Sequence, residues 1–169
     1  MVRAATMVAL VLAAAGGMQL NSNDVRAGAT LARPFMATDC GGRNRSPQLA
    51  WTGAPAGTKS FALIVHDPDA PLAGGFYHWV VYNISASSNE LPADATLRSD
   101  QLGDTSAGKP GYYGPCPPPG PPHHYDWTLY ALDFTAIDSR TPLDAAQLQR
   151  RMAGHVLARA TIATMAVRP

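Results

Sequence analysis

The chain has 169 residues, 46% hydrophobic and 15% charged, which suits one domain with its own core and excludes a disordered tail or a coiled coil. Its 15 glycines and 15 prolines favour short strands and ordered loops over a helical bundle. Thirteen basic and 12 acidic side chains leave a net charge of +1, without the electrostatic footprint of a nucleic-acid binder or a polybasic membrane patch.

The first stretch, MVRAATMVALVLAAAGG (1–17), places Arg3 before an uncharged apolar run that ends in small residues. That is the pattern of a secretory signal peptide. The apolar run falls short of the roughly 20 residues a membrane-spanning helix needs. The expected organisation is a signal peptide over 1–17 and a folded domain over 18–169, in the periplasm or secreted. Were Met18 the true start, the location would be cytoplasmic.

Residues 21–45 read as an irregular entry with one short strand, followed by a short apolar patch at 49–51 and a turn at 54–58. FALIV (61–65) is a continuous β-prone run, expected as a fully buried strand. It stops at His66-Asp67-Pro68, because proline cannot donate to a ladder. WVVYNI (79–84) predicts a second buried strand, and 85–107 a long polar connection with weak strand character near 95–98. Residues 109–123 hold seven prolines and three glycines and can form neither a helix nor a central strand. YDWTLYALD (125–133) alternates and predicts a third strand. Thr141-Pro142 predicts a helix start, with the helix over about 143–155, and 157–167 a closing strand. The fold class that follows is mostly β: an antiparallel Greek-key-type β-sandwich with short helices, one near the C-terminus.

Two cysteines, Cys40 and Cys116, sit in Gly-rich loops. In an exported chain they allow one disulfide; otherwise they are two half-buried thiols. The strongest local signals for chemistry are three. Asp67 and Asp69 are two carboxylates at i and i+2, expected to point the same way in extended backbone and flanked by Pro68 and Pro71. Asp67 could accept from a histidine and fix its tautomer, or simply cap a turn. His78 opens a strand beside Trp79, as a ligand donor or as a structural residue. The Gly-Pro loop then delivers His123-His124-Tyr125, with His123 and Tyr125 on one face and His124 on the other. Asp67, His78 and His123 are also the ligand types of iron or zinc, but no local spacing shows them converging, and no metal or cofactor is assigned. No GxSxG elbow is present, and no catalytic residue is assigned.

Taken together, CGGRNRSPQLAW (40–51), FALIVHDPDAP (61–71), YHWVVYNI (77–84), GKPGYYGPCPPPGPPHHYDWTLYALD (108–133) and MAGHVLARATI (152–162) resemble the phosphatidylethanolamine-binding protein family, in its bacterial Raf-kinase-inhibitor-like branch. The resemblance implies a β-sandwich with a small anion pocket at one end, binding phosphate-bearing groups such as a phospholipid headgroup. It implies as ligand-binding residues Asp67, Asp69, His78, Cys116, Pro117, Pro118, His123 and Tyr125. The expected mechanism has His78, His123 and Tyr125 donating to the anion, helped by N–H groups of the Gly-Pro loop. The resemblance also implies a kinase or protease partner and a homodimer. The alternative is a metal-dependent hydrolase or isomerase using the same residues. The chain departs from the family pattern in the extra Gly120-Pro121-Pro122, in the order Asp39-Cys40-Gly41-Gly42, and in lacking the long C-terminal helix of eukaryotic members.

Overall fold

The computed structural model describes residues 17–169; nearly all of the expected signal peptide lies outside the described residues. Among them no helix is long and apolar enough to cross a membrane. Among the described residues, eight strands form two antiparallel sheets. β1 (Gln19–Asn21), β2 (Leu49–Thr52) and β5 (Glu90–Leu91) make a three-stranded sheet in the order β1-β2-β5. β3 (Ser60–Asp67), β4 (Phe76–Ser85), β6 (Leu102–Gly103), β7 (His123–Leu132) and β8 (Val156–Ala166) make a five-stranded sheet in the order β6-β4-β3-β7-β8.

β3 is the middle strand of the larger sheet, and this explains its unbroken apolar sequence. Phe61, Leu63 and Val65 pack with Trp51, Leu49 and Leu20 of the small sheet. Ala62 and Ile64 face the other way, against Leu143, Leu148 and Met152. With both faces covered there is no polar side to alternate with. β7 instead alternates: Tyr125, Trp127 and Leu129 are buried while His124, Asp126 and Thr128 are not. The Trp127 indole N–H donates to Thr164 Oγ1 at 2.9 Å, so the core aromatic is paired across to β8.

The one α-helix among the described residues, α1, runs over Ala145–Met152 and covers the sheet face away from the sandwich core. Its N-cap is Asp144, not Thr141. The Asp144 carboxylate accepts from Gln147 N at 2.7 Å, and the Gln147 side chain accepts from Asp144 N at 3.0 Å. This reciprocal pair satisfies two helix-end donors, which the Thr141-Pro142 start could not do. The weak strand expected near 95–98 is also absent; the chain there leads into a short 3-10 turn, Ser99–Gln101, before β6.

The pairing brings four strand ends to one edge of the larger sheet. Because β3 runs antiparallel to both β4 and β7, the end of β3 meets the starts of β4 and β7 (Asp67 opposite Phe76, His66 opposite Asp126). β8 is antiparallel to β7, so its end, at Ala166, lies opposite His123. A register shift between Val65 and His66 marks a bulge on β4 there: Val65 faces Trp79 but His66 faces Tyr77. The bulge switches the faces of the strand. Tyr77 goes to the helix side, stacked on His66 at 4.4 Å, and His78 turns to the sandwich side, edge-on to Tyr125 at 5.2 Å.

Candidate functional site

At this edge lies a hollow of about 380 Å³, lined among others by Asp67, His78, His123, Tyr125, Cys116 and Pro117. Its polar side chains belong to the interior: Asp67 is 3% exposed, His78 5%, His123 7% and Tyr125 0%. A larger cleft, about 480 Å³, lies on the helix side. It contains no histidine, and the Asp144 carboxylate on its wall is engaged in capping α1.

Asp67 ends β3 and works in two directions. One carboxylate oxygen accepts from the backbone N–H groups of Asp69 (2.9 Å) and Ala70 (3.0 Å). The other accepts from His123 Nδ1 at 2.8 Å. Turn cap and histidine orienter are therefore one residue. The loop that follows closes tightly at Gly75, whose φ is +75° and where a Cβ would stand 2.3 Å from the Asp67 carbonyl oxygen.

His78 is held by Tyr113. Its Nδ1 donates to the Tyr113 carbonyl at 2.7 Å, and the Tyr113 N–H donates to the His78 carbonyl at 2.8 Å. Burial pushes the ring down to about 4, although the Tyr113 carbonyl and the Asp67 charge pull the other way. The ring is therefore neutral near pH 7, and with its Nδ1 proton spent on Tyr113 it has no second N–H to donate to an anion. Folded His78 titrates below its ordinary 6.5, so the unfolded chain binds the proton more readily between the two values. Stability is intact above pH 6.5 and falls as the pH drops toward 4, by up to about 3 kcal/mol from this group. Urea titrations at pH 7 and pH 4.5 check this; His78→Asn should flatten the difference.

The Tyr125 hydroxyl is buried in the hollow and has no protein partner. Burial and the nearby Asp67 charge hold it protonated, well above the usual phenol range. An orphan hydroxyl is costly unless something else satisfies it. Tyr125→Phe should leave the melting temperature unchanged or slightly raised, while ligand affinity drops about tenfold.

The proline loop forms the opposite wall. Its first half is pegged: Tyr112 OH donates to the Phe35 carbonyl at 2.7 Å, and its ring stands edge-on to Trp79 at 5.4 Å. Gly114 passes so close to Ala37 N that a Cβ would come within 2.5 Å. Cys116 is bridged to Cys40, which joins the loop to the 3-10 turn Thr38–Cys40. The expected fan of loop N–H donors is not there. Of the loop residues that line the hollow, Tyr113 spends its N–H on the His78 carbonyl and Pro117 and Pro118 have none, which leaves Cys116 N–H.

The family model for phosphatidylethanolamine-binding protein matches residues 21–167. The chain belongs to that family. The Escherichia coli UPF0098 protein YbcL is 39% identical over 167 residues, covering 93% of this chain and 88% of YbcL. The crystal structure of YbcL, described as a new member of the mammalian PEBP family, superposes with a TM-score of 0.84 at 36% identity, covering 90% of this chain and 99% of that one. A PEBP homologue from Chlamydia trachomatis, CT736, gives a TM-score of 0.79 at 34% identity, covering 88% of this chain and 96% of that one. LppC of Mycobacterium tuberculosis, named a lipoprotein, is 41% identical over 113 residues, covering 61% of this chain and 55% of LppC.

Of the residues the PEBP motifs single out, Asp67, His78, Cys116, Pro117, Pro118, His123 and Tyr125 all line the hollow. Asp69 does not. The strand ends at Asp67, and the 68–69 turn sends the second carboxylate outward. There it accepts from the His124 N–H and from His124 Nδ1, both at 2.7 Å. These bonds hold the exposed Asp69 below the usual carboxylate range. Asp69 therefore pins the start of β7 from outside the hollow. Motif reading missed Asp39, Phe76, Tyr113 and Arg168 on the lining. Arg168 follows β8; its Nε donates to the Pro117 carbonyl at 3.2 Å and its Nη2 to Cys116 Sγ at 3.3 Å. It brings a guanidinium to the wall of the hollow beside the proline loop. No local motif marks it; only the β7–β8 pairing puts it there.

Proposed function

We propose that this PEBP-family chain is a non-catalytic binding protein whose hollow takes a small phosphate-bearing group of the phospholipid-headgroup type. The observation that carries this reading is the convergence of two ring-fixed histidines, an unpartnered tyrosine hydroxyl and the Arg168 guanidinium on one cavity. Its walls include Ala70, Pro71, Leu72, Pro117 and Pro118, which present apolar surface to a guest. Among the described residues no cluster of three or more His, Cys, Asp or Glu has the arrangement for a metal ion, so nothing supports the metal-dependent hydrolase. The location we propose is extracytoplasmic. The Cys40–Cys116 bridge supports an oxidising compartment, as do the signal-peptide pattern of 1–17 and the lipoprotein relative.

Calorimetric titration of phosphoethanolamine at pH 6 into wild type, His78→Ala and His123→Ala tests the reading. Wild type should bind, and each variant should lose about 10- to 100-fold, the worth of one charge-assisted hydrogen bond. Equal affinity in all three would overturn it.

A further inference from the structure

Both histidines of the hollow are used at the same ring atom. His78 Nδ1 donates to the Tyr113 carbonyl, and His123 Nδ1 donates to the Asp67 carboxylate. A neutral imidazole with its proton on Nδ1 carries a lone pair at Nε2. Among the described residues neither Nε2 has a partner, and both rings line the cavity. In the neutral state the two histidines therefore offer acceptors to a guest. A fully ionised phosphoryl oxygen against either Nε2 would set lone pair against lone pair.

Given the phosphate reading above, we propose that the hollow takes its guest as a phosphomonoester carrying one acid proton, shared between a phosphoryl oxygen and His78 Nε2, and discriminates against phosphodiesters and sulfate esters.

The surroundings of His78 make the guest the better source of that proton. Asp67 faces it from β3 and His123 and Tyr125 from β7, while His66, on the opposite face of β3, acts on it only through its charge. Tyr113 and Phe76 stack beside it, and Asp39 and Arg168 line the same hollow. The formal charges of Asp39 and Asp67 outweigh that of Arg168, so the hollow has no surplus positive charge to attract a dianion unaided. Burial disfavours the imidazolium at His78. A phosphomonoester keeps a second ionisation near pH 6 and can deliver a proton close to neutrality. A phosphodiester or a sulfate ester has none to deliver there. The ligand class is thus a phosphomonoester, with the diester headgroup of an intact phospholipid a poor match.

Three probes with the same amine separate these cases: phosphoethanolamine, glycerophosphoethanolamine and ethanolamine O-sulfate. Calorimetry at pH 8 in two buffers of different ionisation enthalpy reads proton uptake directly. Phosphoethanolamine should take up close to one proton per molecule bound, and its affinity should fall about tenfold per pH unit between pH 7 and pH 9. The diester and the sulfate should bind at least tenfold more weakly at pH 7. His78→Gln, whose amide can present an N–H without titrating, should flatten the pH slope and bring sulfate close to phosphate. If that variant does not fold, proton uptake and the three-probe ranking on wild type still decide. Binding of phosphoethanolamine with no proton uptake, or equal affinity for all three probes, overturns this inference and leaves the binding function standing. No binding of phosphoethanolamine at pH 6 overturns the binding function itself.

Discussion

Asp67→Ala should destabilise the fold by about 3–5 kcal/mol, the cost of leaving three buried hydrogen-bond donors without their acceptor. The carboxylate is the acceptor for three donors: His123 Nδ1 and the backbone N–H groups of Asp69 and Ala70. Alanine leaves all three unmatched in a region that is nearly closed to water. A melting temperature lower by roughly 10 °C, read by circular dichroism, is the expected outcome for a domain of this size. Asp67→Asn separates structure from binding. Its carbonyl oxygen can still cap the turn, so most of the stability should remain. Its amide now donates to His123 Nδ1, which moves the ring proton to Nε2. A fixed donor would then face the hollow, and sulfate should gain affinity relative to wild type. An unchanged melting temperature in Asp67→Ala would mean that water replaces the carboxylate at no cost, against its burial.

Breaking the Cys40–Cys116 bridge should have an effect of similar size. The two cysteines are 76 residues apart, and closing a loop of that length restricts the unfolded chain by about 4 kcal/mol in the chain-entropy model. The paired replacement Cys40→Ser with Cys116→Ser avoids a lone thiol and should lower the melting temperature by roughly 10 °C. Binding should suffer as well. The first half of the proline loop stays pegged by Tyr112 and by Ala37 N–H to the Pro115 carbonyl at 3.0 Å. Past Cys116, the bond from Arg168 Nε to the Pro117 carbonyl is what remains on the wall. Pro117 and Pro118 should therefore loosen, and phosphoethanolamine affinity should fall along with stability. A melting temperature within about 2 °C of wild type would show that the bridge adds little to the fold.

The strands that carry the site were legible because burial leaves a mark on composition. FALIV is continuous because β3 is covered on both faces, and YDWTLYALD alternates because β7 is covered on one. The start of α1 was misread for a local reason. Thr141-Pro142 has the residue types of a start, but the start is set by which side chain reaches a free helix N–H, and that is Asp144. Asp69 was misplaced because the i, i+2 rule holds only while the backbone stays extended, and β3 ends at Asp67.

By itself the sequence determined the residue types of the site and the order in which strands and loops present them. It carried the family too, since several motifs spread over most of the chain occur together. Tertiary structure alone decided which atoms face the guest. Strict alternation from Trp79 would send His78 to the helix side; the bulge in β4 turns it into the hollow. The choice of Nε2 as the exposed nitrogen of both rings comes from partners 35 and 56 residues away, and the place of Arg168 from the pairing of the last two strands. Hydrogen-bond partners distant in the chain leave no periodic or compositional trace, because the energy that selects them is that of a contact and exists only once the chain has folded.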